Sequence, residues 1–128
     1  MKEELFEQLD FTVNQQYEQI IDDLLEKQYS IVDDFFDPLE ILKLRSSLLH
    51  KYEEDKFKKS AIGNRTNELI EKAIRGDFIL WMNEAEAGET EKIFFHKINN
   101  LIEYLNRTCF MGILHKEFHY AVYPKGTF

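Results

Sequence analysis

The side chains best equipped for chemistry here are four histidines, His50, His96, His115 and His119, in a chain with 24 acidic residues. Two histidines and a carboxylate on one face of an octahedron hold non-haem iron and leave positions open for other ligands. Only His115-Lys116-Glu117 has a His-x-carboxylate spacing. A third ligand would have to come from His119 or from a distant helix. His50 and His96 fall among helix-surface residues, where a histidine is ordinarily solvated. Cys109 has no His or Asp beside it in sequence, so a buried inert thiol is expected. The chain has no G-x-S-x-G elbow, no Walker loop, no glycine-rich dinucleotide turn and no paired cysteines.

The closing residues, Glu117 to Phe128, carry the clearest pattern. Phe118, Tyr120 and Val122 alternate with His119, Ala121 and Tyr123, the period of a strand with two faces. Pro124 and Gly126 then punctuate it, and Gly126 suits a positive φ. Alternation places His119, Ala121 and Tyr123 on one face, lining the same cavity. By pattern alone, Tyr123 reads as a core tyrosine with a satisfied hydroxyl.

The elements that must position this strand follow from periodicity. Leu5, Phe6, Leu9, Val13, Tyr17, Ile20, Ile21, Leu24 and Leu25 recur at helical spacing. They predict an amphipathic helical segment over residues 1–28, interrupted near Asp10-Phe11-Thr12. Tyr29 to Phe36 reads as a short strand. Asp37-Pro38-Leu39-Glu40 starts a helix, with a cap, a proline at the first helical position and a capping-box spacing. Its stripe, Ile41, Leu44, Leu48 and Tyr52, carries it to about Glu54. Gly63-Asn64 marks a turn and Leu69 to Ile74 a short helix. Ile74 to Met82 is an apolar segment in which Trp81 is expected in the core. Glu84 to Glu89 reads as a loop. Thr90 is expected to cap a helix whose face holds Ile93, Phe94, Ile98, Leu101, Ile102 and Leu105. Phe110 to Leu114 should lead into the last strand through a turn at His115-Lys116.

Size and composition bound the function. At 128 residues, with 44% hydrophobic and 14% aromatic side chains, the chain makes one domain with a packed core. A net charge of −8 argues against nucleic acid and against an anionic membrane surface. A single cysteine fits a reducing cytoplasm. No apolar run reaches membrane-spanning length.

Two stretches resemble a known family. Tyr120-Ala-Val-Tyr-Pro-Lys-Gly-Thr-Phe128 resembles the core strand and Y-P-x-G-x-[FY] turn of 2-oxoglutarate- and iron(II)-dependent oxygenases, in the prolyl 4-hydroxylase-like branch. Ile74-Arg75-Gly76-Asp77-Phe78-Ile79-Leu80-Trp81 resembles that family's I-R-x-D-x-I-x-W segment, in the same order along the chain. The resemblance spans residues 29–128. It implies an α+β fold in which supporting helices carry the first strands of a double-stranded β-helix, a jelly-roll barrel incomplete in this chain. It implies hydroxylation of a protein substrate, prolyl in kind, with Fe(II), 2-oxoglutarate and ascorbate as cofactors. Tyr123 would hydrogen-bond 2-oxoglutarate, and His119 and Ala121 would line its pocket. Arg75 and Asp77 would stand where a peptide arrives, or form a structural ion pair.

In that family the iron-binding H-x-D follows the Tyr-Pro turn, whereas His115-x-Glu117 precedes it. The resemblance therefore implies no metal ligand and no catalytic residue in this chain, and no turnover by the 128 residues alone. The expected partner is the remainder of the oxygenase domain or a second copy of the chain. Two other readings stand beside it: a non-catalytic interaction module that pairs through its strands or first helix, and an unrelated helical binding domain.

Overall fold

A computed structural model describes residues 12–59 and 76–128. Among them lie three α-helices and one antiparallel sheet: α1 (Gln15–Lys27), α2 (Pro38–Glu53), β1 (Lys58–Lys59), β2 (Phe78–Trp81), α3 (Glu89–Cys109) and β3 (His119–Val122). A 3₁₀ turn at Glu84–Glu86 precedes α3. The fold is α+β. The chain divides into two compact units. One holds residues up to Phe35 with Asn99–Gly112; the other holds Phe36–Ile98 with Ile113–Phe128.

In the first unit, α1 begins where Asn14 accepts a hydrogen bond from the Tyr17 backbone, an N-cap that satisfies a donor the helix itself cannot. Its apolar stripe buries Tyr17 and Ile20 against Tyr104 of α3, with Ile21, Leu24, Val32, Phe35 and Leu101 around them. The rings of Tyr17 and Tyr104 meet edge to face, 5.1 Å between centroids. Both hydroxyls are engaged. Tyr17 donates to Asn100 at 2.9 Å and Tyr104 to Glu18 at 2.5 Å.

The strand expected over Tyr29 to Phe36 does not form. Gln28 closes α1 in the left-handed region at φ 71°, and Asp34 follows at φ 56°. The Ser30 hydroxyl donates to Asp23 at 2.8 Å. These local bonds bend the chain into turns, and among the described residues no strand pairs with it. Val32 and Phe35 still pack on the core without a strand.

In the second unit, Asp37 caps α2 by accepting from the Leu39 backbone at 2.8 Å, and Pro38 opens the helix. The capping box is not completed, because Glu40 Oε2 is buried with no hydrogen-bond partner among the described residues. Gly88 starts α3 by offering its carbonyl to Lys92, so Thr90 lies inside the helix and is not its cap. Between α3 and β3 no strand-turn-strand forms. Phe110 and Gly112 take left-handed backbones, and the chain forms no strand among the described residues until His119. The helix and turn expected over 63–74, and the start of the first helix, lie outside the described residues.

The sheet has the order β1-β2-β3. Phe78 pairs with Val122, Ile79 with Ala121, Leu80 with Tyr120 and Trp81 with His119. Opposed residues share a face, so Phe78, Leu80, Tyr120 and Val122 look one way and Ile79, Trp81, His119 and Ala121 the other. The first face is covered. Tyr52 of α2 meets Phe78, Phe57 meets Tyr120, and Phe94 and Phe95 of α3 meet Phe118.

Candidate functional site

The candidate site is the other face of β2 and β3, which no helix covers among the described residues. Trp81 is 57% exposed there, which overturns its expected place in the core. The reason is the register: Trp81 opposes His119 on the face that no helix covers among the described residues, and the two rings meet edge to face at 5.0 Å. His119 is exposed and Ala121 half-buried. Tyr123 continues their alternation one residue past β3 and is 53% exposed. Of the three residues expected on one face, His119 and Ala121 lie in β3 and Tyr123 just beyond it.

The turn beyond Tyr123 is held by short-range bonds. Thr127 donates to the Pro124 carbonyl from both its backbone, at 3.0 Å, and its hydroxyl, at 2.7 Å. Gly126 sits at φ 82°, a conformation open to glycine and costly for other residues. The turn folds back onto the head of β2. The Gly76 N–H donates to the Phe128 carbonyl at 2.8 Å, and a Cβ on Gly76 would stand 2.6 Å from the Thr127 side chain. So the two sequence stretches that carry the family resemblance meet in space. Asp77, between Gly76 and β2, is fully buried. That suits a carboxylate fixing the strand better than one meeting a peptide from solvent. Arg75 lies outside the described residues.

Beneath the sheet, α2 and α3 are tied by an ion pair, Lys51 Nζ to Glu91 Oε1 at 3.4 Å, with the Glu91 side chain 9% exposed. The Tyr120 hydroxyl is buried beside Ser47 and Glu91 but makes no hydrogen bond of good geometry among the described residues. Burial, and then the Glu91 charge, push its pKa up to about 12. This polar group lies in the supporting layer, and neither Lys51 nor Glu91 was singled out by the sequence reading. Their spacing follows no motif; only the packing of two helices joins them.

The remaining histidines do no shared chemistry. His50 pairs with Glu54 at 3.0 Å on the surface of α2. His96 and His115 are exposed. Among the described residues no group of three or more His, Cys, Asp or Glu side chains could hold a metal ion. These described residues do not fit an iron site. A shallow hollow of about 220 Å³ lined by Trp81, Met82, Lys116, Glu117 and Phe118 lies at the end of the same sheet.

No family model and no curated protein matches the sequence. A solved structure does: a Pseudomonas putida prolyl-4-hydroxylase, with a TM-score of 0.75 and 24% identity. The match covers 88% of this chain and 57% of that one. The fold is hydroxylase-like. The chain spans little more than half the length of the enzyme it matches. Among the described residues no helix is long and apolar enough to cross a membrane.

Proposed function

We propose that this chain supplies the supporting helices and first barrel strands of a 2-oxoglutarate- and iron(II)-dependent oxygenase of the prolyl 4-hydroxylase-like branch. The observation that carries the reading is the likeness to a prolyl-4-hydroxylase, which extends over most of this chain but only 57% of that enzyme. The union of the Gly76-Asp77 and Pro124–Phe128 stretches supports it, as does the open aromatic face beside them.

In this reading the rest of a double-stranded β-helix and the iron ligands are contributed outside the 128 residues. Iron and 2-oxoglutarate, when bound there, supply oxidative hydroxylation of a prolyl residue in a protein, with ascorbate keeping the metal reduced. The part of this chain is to bind and orient. The Tyr123 hydroxyl donates a hydrogen bond to 2-oxoglutarate. His119 and Ala121 wall the cosubstrate pocket. Gly76 and Thr127 lock the turn that aims Tyr123. The 128 residues alone turn nothing over.

The test is succinate release from 2-oxoglutarate in the presence of iron(II) and a proline-containing peptide. It is run on the 128-residue chain and on the chain continued through its reading frame. Turnover by the longer chain alone supports the reading. Turnover by the 128 residues alone, or by neither, overturns it.

A further inference from the structure

The hollow of about 220 Å³ at the end of the sheet is lined by two side chains of complementary chemistry. One is Trp81, 57% exposed. Its ring meets His119 edge to face, and more than half of its surface stays open to an arriving group. The other is Glu117, an exposed carboxylate that makes no ion pair among the described residues. Lys116, the third charged residue of the lining, already has a counter-ion: its Nζ lies 3.0 Å from Glu84 Oε1. Met82 and Phe118 add apolar surface. An aromatic ring beside an unpaired carboxylate takes an organic cation. The ring attracts the cation through its quadrupole, and the carboxylate pairs with it. An anion would meet Glu117 and a chain of net charge −8.

We propose that this hollow takes a basic side chain of the protein substrate, so that the substrate class is a proline-containing peptide with an arginine near the proline. Arginine suits the site better than lysine, because its planar guanidinium stacks on a ring and pairs with a carboxylate at once. The proposal rests on the oxygenase reading for the peptide itself. The position of the hollow agrees with that reading. Trp81 opposes His119, and Tyr123 lies further along the same chain segment, from 119 to 123. At the rise of an extended chain that separation is about 13 Å, which an extended peptide covers in about four residues. A proline held near the cosubstrate therefore leaves a side chain about four residues away, or nearer, within reach of Trp81 and Glu117.

Trp81 is the chain's only tryptophan, so its fluorescence reports on the hollow directly. Proline-containing peptides are titrated into the 128-residue chain, with arginine, glutamine or glutamate placed in turn at about four positions on either side of the proline. The best-placed arginine is expected to shift the emission and to bind about fivefold tighter than glutamine at the same position, the scale of an exposed cation–ring contact with one ion pair. The difference should shrink as salt is raised. Glu117→Asp should keep the preference, and Glu117→Lys should turn it toward the glutamate peptide. Trp81→Leu, followed by calorimetry, should narrow it. In the chain continued through its reading frame, the arginine should lower the KM of the peptide in succinate release and leave kcat in place, since the hollow lies away from the reacting atoms. Equal affinity for the three peptides at every position, or a preference that survives Glu117→Lys, overturns the proposal. If no peptide is turned over, the oxygenase reading fails, and the binding comparison still decides whether the hollow takes a cation.

Discussion

Gly76 and Thr127, distant in sequence, touch at the corner where the last turn meets the head of β2. The Gly76 N–H reaches the Phe128 carbonyl at 2.8 Å, and any Cβ at Gly76 would lie 2.6 Å from Thr127 Cβ. No real Cβ contact is that short, so the side chain is absent because the turn needs the space. Gly76→Ala is expected to destabilise the chain by about 1–3 kcal/mol, the usual range for overpacking a closed contact. Urea unfolding monitored by circular dichroism measures it. Thr127→Gly in the same molecule should recover most of the loss, because Thr127 Cβ itself is the obstacle.

Gly126 tests a different constraint. An added Cβ would meet nothing within 4 Å, but φ is 82°. Gly126→Ala should cost about 1 kcal/mol through backbone strain alone. Gly126→Asn should cost less, since asparagine tolerates the left-handed region. The ordering of the two melting temperatures is the measurement.

The Lys51–Glu91 pair sits between α2 and α3 beneath β3. Removing Lys51 leaves Glu91 buried and uncompensated, which is the costly way to break such a pair. Lys51→Ala is expected to lose about 2–4 kcal/mol, while the double change Lys51→Met with Glu91→Leu loses far less. A double-mutant cycle on unfolding free energies separates the outcomes.

Tyr120 gives a pH signature. Its folded pKa is raised from 10.0 to about 12, so between those values the native state holds a proton that the unfolded state has released. The stability tied to that proton is fully present below pH 10 and is lost as pH rises toward 12. Tyr17 and Tyr104, also raised chiefly by burial, add to the same alkaline loss. Tyr120→Phe removes a hydroxyl that makes no hydrogen bond of good geometry among the described residues, so near pH 7 it should be neutral or mildly stabilising. At pH 11 it should be clearly more stable than the parent. Urea midpoints at the two pH values check both halves.

Local signals carried much of the fold. The Asp37-Pro38 helix start and the amphipathic stripe of α3 are short-range patterns, and both elements form where they point. The alternation over residues 118–123 gave β3 and its two faces. The failures share a cause. Tyr29 to Phe36 has strand-like composition, yet a strand needs a partner, and Gln28, Ser30 and Asp34 bend the chain locally. The apolar run from Ile74 to Met82 points Trp81 to the core, whereas its exposure depends on which face of β2 is covered. His119 and Ala121 share a face because strand periodicity fixes it, and Tyr123 follows one residue past the strand. The Lys51–Glu91–Tyr120 group was not legible, because three elements distant in sequence build it.

The proposed place of Tyr123 beside 2-oxoglutarate is best tested by binding. Iron(II) and 2-oxoglutarate are titrated calorimetrically into the 128-residue chain, into the chain continued through its reading frame, and into the longer chain bearing Tyr123→Phe. Binding at one site per chain is expected only in the longer protein, weakened by about tenfold in Tyr123→Phe, the loss of one hydrogen bond to a charged ligand. Tight stoichiometric binding by the 128 residues alone, or equal affinity with and without the Tyr123 hydroxyl, would contradict it.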